Sequence, residues 1–194
     1  MNRAILSGAF AFALLLPAAA NAEMKHEQAL KELVESKLRA VAEDPVVIDA
    51  VNQQNAANAA LSQTEIDKLD KQWRSEVEGK NKSLINQVMA SDLSAFLKKV
   101  SDQAGGLVTE IIVMDNRGLN VGQSSVTSDY WQGDEAKWTK TYPADAGAVF
   151  VDEVEMDEST QQLQSQVSFQ IVDPVSFHVI GAITFGVNLD QLGG

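Results

Sequence analysis

From Gln162 to Ile171 the chain alternates without a break: Leu163, Ser165, Val167, Phe169 and Ile171 on one side, Gln162, Gln164, Gln166, Ser168 and Gln170 on the other. A period of two over that length dictates a β-strand with one dry face and one wet face, as in an antiparallel sheet covered on one side. Val179, Gly181, Ile183, Phe185 and Val187 repeat the pattern in a last strand that ends near Leu189. Residues 107–114 are apolar on most of both faces, so that strand is expected to be central. Asn116-Arg117-Gly118 is a turn, and residues 119–123 return as a second strand. Residues 149–156 make a third strand, which gives five antiparallel strands.

The preceding part of the chain has a different period. Leu30, Leu33, Val34, Leu38 and Val41 recur at steps of three and four, which predicts a helix over 24–42. Asp44-Pro45 reads as an N-cap with proline at the first helical position, opening a short helix to about Asn58. Ser62-Gln63-Thr64-Glu65 is a capping box. It opens a helix with Ile66, Leu69, Trp73 and Val77 inward and Gly79 as its stop. A further helix is expected over 82–103, with Leu84, Ile85, Val88, Met89, Leu93, Phe96, Leu97 and Val100 inward, ended by Gly105-Gly106. Helices first and sheet afterwards is an α+β order, with the helices packed on one face of the sheet.

Composition narrows the function. The 194 residues hold 15 Lys+Arg against 27 Asp+Glu, a formal charge of -12, which repels phosphate backbones and leaves nucleic acid out of the expected partners. There are no cysteines, and His26 and His178 are the only histidines, so thiolate metal sites, most zinc sites and most Ser-His-Asp arrangements are out of reach. No activated nucleophile or metal cluster can be assembled from these residues, and no cofactor is implied. Residues 1–22 carry Arg3, an apolar stretch from Ala4 to Leu16, Pro17, and Ala20-Asn21-Ala22, the pattern of a secretory signal peptide cut before Glu23. An uncleaved anchor is the alternative. The expected organisation is a signal peptide (1–22), an N-terminal helical segment (23–79) and a sheet domain (80–194), exported to the periplasm or beyond.

Residues 124–142, SSVTSDYWQGDEAKWTKTY, concentrate Tyr130, Trp131, Trp138 and Tyr142 in a chain that is only 6% aromatic. Aromatic walls with a few interleaved polar groups suit a small polar ligand, since rings exclude water and polar groups fix orientation. The plainer alternative is that the rings pin the loop to the sheet. Asp152 adds a second signal. Ala148, Phe150, Asp152, Val154 and Met156 should share one strand face, on which Asp152 is the only charge. A carboxylate there is costly unless paired, by a ligand ammonium or by Lys137, Lys140 or Arg74. The acidic run from Asp152 to Glu158 lacks the spacing and turn glycine of a calcium loop.

The order of elements, with residues 111–118 (IIVMDNRG), 128–138 (SDYWQGDEAKW) and 180–187 (IGAITFGV), resembles the extracytoplasmic PAS-like sensor domains called Cache or PDC domains. The resemblance spans about Gln72 to Leu189. It implies a single PAS-like five-stranded antiparallel sheet beside long N-terminal helices. It also implies a ligand between the sheet and its covering loops: an amino acid, amine or organic acid. The matching positions are Tyr130, Trp131, Asp134 and Trp138, with Asp152 as a looser match for the group that meets a ligand amine. The family's arginine for a ligand carboxylate is not evident near Trp131; Arg74 or Lys140 would substitute. Such domains are usually anchored beside a kinase, chemotaxis or cyclase output. This chain stops after its last strand, so sensing implies a separate membrane-bound kinase or chemoreceptor. The competing expectation is a non-catalytic interaction protein with a vestigial pocket, forming a homodimer through its N-terminal helices.

Overall fold

A computed structural model describes residues 18–156 and 162–192, with side chains from Lys25 onward. The predicted signal segment therefore lies outside the described residues up to residue 17, and no described helix is long and apolar enough to cross a membrane. Helix α1 runs Ala18–Leu33, passes through a π-helical turn at Val34–Leu38, and continues as Arg39–Ala42. Helix α2 (Pro45–Asn58) starts as read: the Asp44 side chain accepts from the Val46 N–H, and Pro45 stands at the first turn. Helix α3 (Gln63–Glu78) opens on the complete Ser62–Glu65 capping box and stops at Gly79.

Helices α4 (Ser83–Met89) and α5 (Asp92–Gln103) replace the single helix expected over 82–103. The break is local chemistry. The Ser91 hydroxyl accepts from the Ser94 N–H at 3.1 Å, and both the Ser91 and Ser94 hydroxyls donate to the Val88 carbonyl at 2.7 Å. The redirection sends Leu84, Ile85 and Val88 into a small core with Ile66, Trp73, Leu119 and Tyr130, and Leu93 and Leu97 into the main one. The apolar positions of both helices are thus covered within the chain. Helix α3 holds a second departure: Val77 is 37% exposed and Glu76 is buried instead. Its carboxylate accepts from the Leu84 and Ile85 N–H groups, the Ser83 hydroxyl and the Gln72 amide, so it caps α4 from outside. Burial pushes this carboxyl upward, but the four hydrogen bonds outweigh it and its pKa is lowered.

The strands are β1 (Val108–Met114), β2 (Asn120–Gln123), β3 (Val149–Val151), β4 (Glu155–Met156), β5 (Leu163–Val172) and β6 (Val179–Asn188), with α6 (Ala136–Thr139) between β2 and β3. Their order is β2-β1-β6-β5-β3, all antiparallel, with β4 also paired to β5. The expected third strand is therefore split. At the split the Asp152 side chain accepts from the Glu153 N–H and the Ser165 hydroxyl donates to the Asp152 carbonyl, which bends the edge. Val154 and Met156 are consequently exposed.

Helices α1, α2 and α5 cover one sheet face, where Val113, Val167, Phe169, Ile183 and Phe185 are fully buried. The helical segment and the sheet share this core. The opposite face, read as wet, is covered too. Ser168, Thr184 and Gln170 are buried beneath residues 124–148. Their polarity is satisfied internally: Ser168 and Thr184 hydroxyls bond at 2.9 Å, and the Gln170 amide donates to the Thr141 and Ala144 carbonyls while accepting from the Gly147 N–H. The covering segment docks where Gly118 and Gly133 meet; a Cβ on Gly118, whose φ is +80°, would lie 2.5 Å from the Gly133 Cα.

The β5–β6 hairpin is closed by Asp173. One carboxylate oxygen accepts from the Val175 and Ser176 N–H groups at 2.9 and 2.7 Å, and the other from the Asn52 amide of α2 at 2.8 Å. The Ser176 N–H, Asn52 and the Val175 N–H hold the Asp173 pKa down to about 2. A depressed folded pKa contributes stability that is complete above the ordinary carboxylate value of about 3.9 and lost as pH falls toward the folded one. Asp173→Asn should therefore flatten the fall of the melting temperature between about pH 4 and pH 2. Melting curves of both proteins across that window decide it; parallel profiles would contradict the assignment.

Candidate functional site

The seven residues singled out in the sequence fall in separate places. Tyr130 is buried in the small core, stacked on Trp73 at 5.4 Å between centroids. Burial, and secondly the charge of Asp115, raises its pKa. Trp131 packs against the same core and donates its indole N–H to the Arg117 carbonyl at 2.8 Å. Arg74 is tied to Asp70 at 2.7 Å and Asp129 at 3.1 Å. Asp70 in turn accepts from the Tyr130 and Trp131 N–H groups, so this arginine belongs to the clamp that fixes the start of the loop. Asp134 is exposed. These four groups lie beside α3 and the β2 edge.

Trp138, Tyr142 and Asp152 lie on the loop-covered face. Trp138 stacks on Tyr142 at 5.0 Å, and both pack over Ile112, Met114 and Ala182. The Trp138 indole donates to the Asp115 carbonyl at 3.1 Å, which anchors α6 over the sheet. Burial, with the charge of Asp115 second, raises the Tyr142 pKa. The centre of this face is thereby filled by side chains.

Its outer end is open. The strand register sets Phe150 opposite Ser168, and the Asp152 N–H donates to the Gln166 carbonyl at 2.8 Å, so Asp152 continues the Phe150 row onto the loop-covered face. A cleft of about 210 Å3 opens there between α6 and β5. Asp152, Glu153, Glu155, Gln164, Gln166 and the Glu135–Lys137 turn line it. Lys137 is paired with Glu135 at 3.0 Å, and Lys140 lies 4.3 Å over the Phe150 ring. Three further carboxylates line the cleft, so its field favours a cation. Gln166 is oriented by donating to Glu110 at 2.7 Å. The sequence reading named Asp152, with Lys137 as one candidate partner for it, but did not single out Glu135, Gln164 or Gln166 as site residues. The signal for the glutamines was the polar side of the alternating strand.

No protein-family model and no curated protein matches the chain. Solved structures similar to it are sensor domains of histidine kinases and chemoreceptors. The sensor domain of the V. cholerae histidine kinase DctB is 12% identical over 90% of this chain and 58% of that one, with a TM-score of 0.45. The sensory domain of the Campylobacter jejuni chemoreceptor Tlp3, solved with isoleucine bound, is 12% identical over 87% and 64%, at 0.38. The ligand-binding domain of the Pseudomonas aeruginosa amino acid chemoreceptor PctC, solved with GABA, is 16% identical over 62% and 59%, at 0.37. The chain thus spans less than two thirds of each.

Proposed function

We propose that this chain is an exported, non-catalytic small-molecule-binding sensor module of the Cache or PDC type. It takes a small polar metabolite carrying an ammonium group and reports through a separate membrane-bound kinase or chemoreceptor. One observation carries the reading. Asp152 continues the loop-covered sheet face into an open cleft whose lining carboxylates outnumber its one lysine, itself already paired. A cleft of about 210 Å3 suits an amine or amino acid of a few heavy atoms. The Gln164 and Gln166 amides beside it supply orienting groups.

A thermal-shift screen of amines, amino acids and small organic acids tests it. A compound at a hundredfold excess over its Kd raises stability by about 2.7 kcal/mol. Asp152→Asn removes the charge without changing shape and should weaken binding about tenfold, the scale of one part-exposed charge-assisted hydrogen bond. Binding unchanged by Asp152→Asn would overturn the site. A second reading, a non-catalytic interaction protein with a vestigial pocket, is favoured by the stacked Trp138 and Tyr142 that fill the centre of the face. A screen in which no compound shifts the melting temperature would select it.

A further inference from the structure

The tip of the β5–β6 hairpin is built in a way the sensing role does not use. Val175 is 86% exposed and Phe177 80% exposed, so two large apolar side chains stand in water. Phe177 also holds a φ of +59°, a left-handed angle that a bulky residue rarely adopts. The tip is rigid, because the Asp173 carboxylate holds two of its N–H groups and ties it to Asn52 of α2. Along another flank of the same helix runs a groove of about 600 Å3 between α2 and the α4–α5 corner. Its floor is Val88, Leu93, Val121 and Tyr130, all buried, and its rim includes Val46 and Ala57.

We propose that two copies of this chain pair about a two-fold axis near α2, with the Val175–Phe177 tip of each copy seated in the α2 groove of the other. The placement supports a closed pair, since knob and groove flank one helix and a single axis serves both contacts. The area supports it as well. Each tip offers about 300 Å2 of apolar side chain, and two tips with the groove surfaces they cover reach about 1,200 Å2, the lower bound of specific interfaces. Charge points the same way: residues 172–179 hold no Lys or Arg and one carboxylate, already satisfied, so the tip avoids the repulsion between two copies of charge -12. A lipid surface is a poorer occupant for a tip without Lys or Arg.

Sedimentation equilibrium of the purified chain tests the pairing. A monomer–dimer equilibrium in the micromolar range is expected. Phe177→Gly, which keeps the left-handed angle and removes the knob, and Ala57→Arg, which obstructs the groove, should each weaken it more than about tenfold. Both sites are exposed, and unchanged melting curves check that each variant folds. An equimolar mixture of the two variants should dimerise more tightly than either variant alone and less tightly than the unaltered chain, because one of the two contacts then pairs an intact tip with an intact groove. A wild-type chain that stays monomeric at hundreds of micromolar overturns the proposal. So does a dimer indifferent to both variants, or a loss on Phe177→Gly that the mixture does not lessen, the mark of tip-to-tip contact.

Discussion

Asp115→Ala is expected to destabilise the protein by about 4 kcal/mol, roughly the cost of leaving several buried donors without an acceptor. The Asp115 side chain is wholly buried, and no cation pairs with it among the described residues. One carboxylate oxygen accepts from the Arg117 and Leu119 N–H groups at 2.8 and 2.9 Å, shaping the β1–β2 turn. The other accepts from the Gln54 and Asn58 amides of α2 at 3.0 and 3.1 Å, holding that helix on the sheet. Alanine orphans the Arg117, Leu119 and Asn58 donors, while the Gln54 amide keeps the Leu119 and Asn120 carbonyls at 3.5 and 3.3 Å. Asn keeps an acceptor for the two backbone groups, and the Asn58 amide can turn its oxygen toward the new NH2, while the Gln54 amide keeps its bonds to the Leu119 and Asn120 carbonyls. Asp115→Asn should therefore cost about 1 kcal/mol. Urea unfolding measures both, and equal losses would mean that charge, not hydrogen bonding, is what this residue supplies.

Trp73→Ala should cost about 3–5 kcal/mol, the range for deleting a fully buried indole. Trp73 is 0% exposed, stacks on Tyr130, and donates its indole N–H to the Thr127 carbonyl at 2.9 Å. It therefore joins α3 to the start of the covering segment. A loss of that size lowers the melting temperature of a chain this long by about 10 °C. Since α6 is anchored separately, through Trp138 to the Asp115 carbonyl, amide exchange should quicken over 124–132 and change little at 136–142. Uniform loosening of both halves would contradict the division between them.

That division explains what could be read in advance. Local chemistry was legible: the Asp44 cap, the Ser62–Glu65 box, the stop at Gly79 and the alternating strands depend on neighbours in sequence. The Ser91 break was also written locally, as a serine N-cap before Asp92, but an unbroken apolar spacing from Leu84 to Val100 hid it. The aromatic window could not be resolved that way. The contact between Gly118 and Gly133 divides it, sending Tyr130 and Trp131 to α3 and Trp138 and Tyr142 to the far sheet face. Likewise the polar side of β5 has one pattern whether water or the 124–148 segment lies over it. Only the fold reveals that Ser168 bonds Thr184 and that Gln170 bonds loop carbonyls. Asp152 was legible as an unusual carboxylate, whereas its companions in the cleft come from three separate stretches of chain.

The most direct measurement is a crystal structure of the protein with the best compound from the screen. Density between α6 and β5, with an ammonium within about 3 Å of the Asp152 carboxylate, is the predicted result. Density in the α2 groove, or at any place remote from Asp152, would contradict the account.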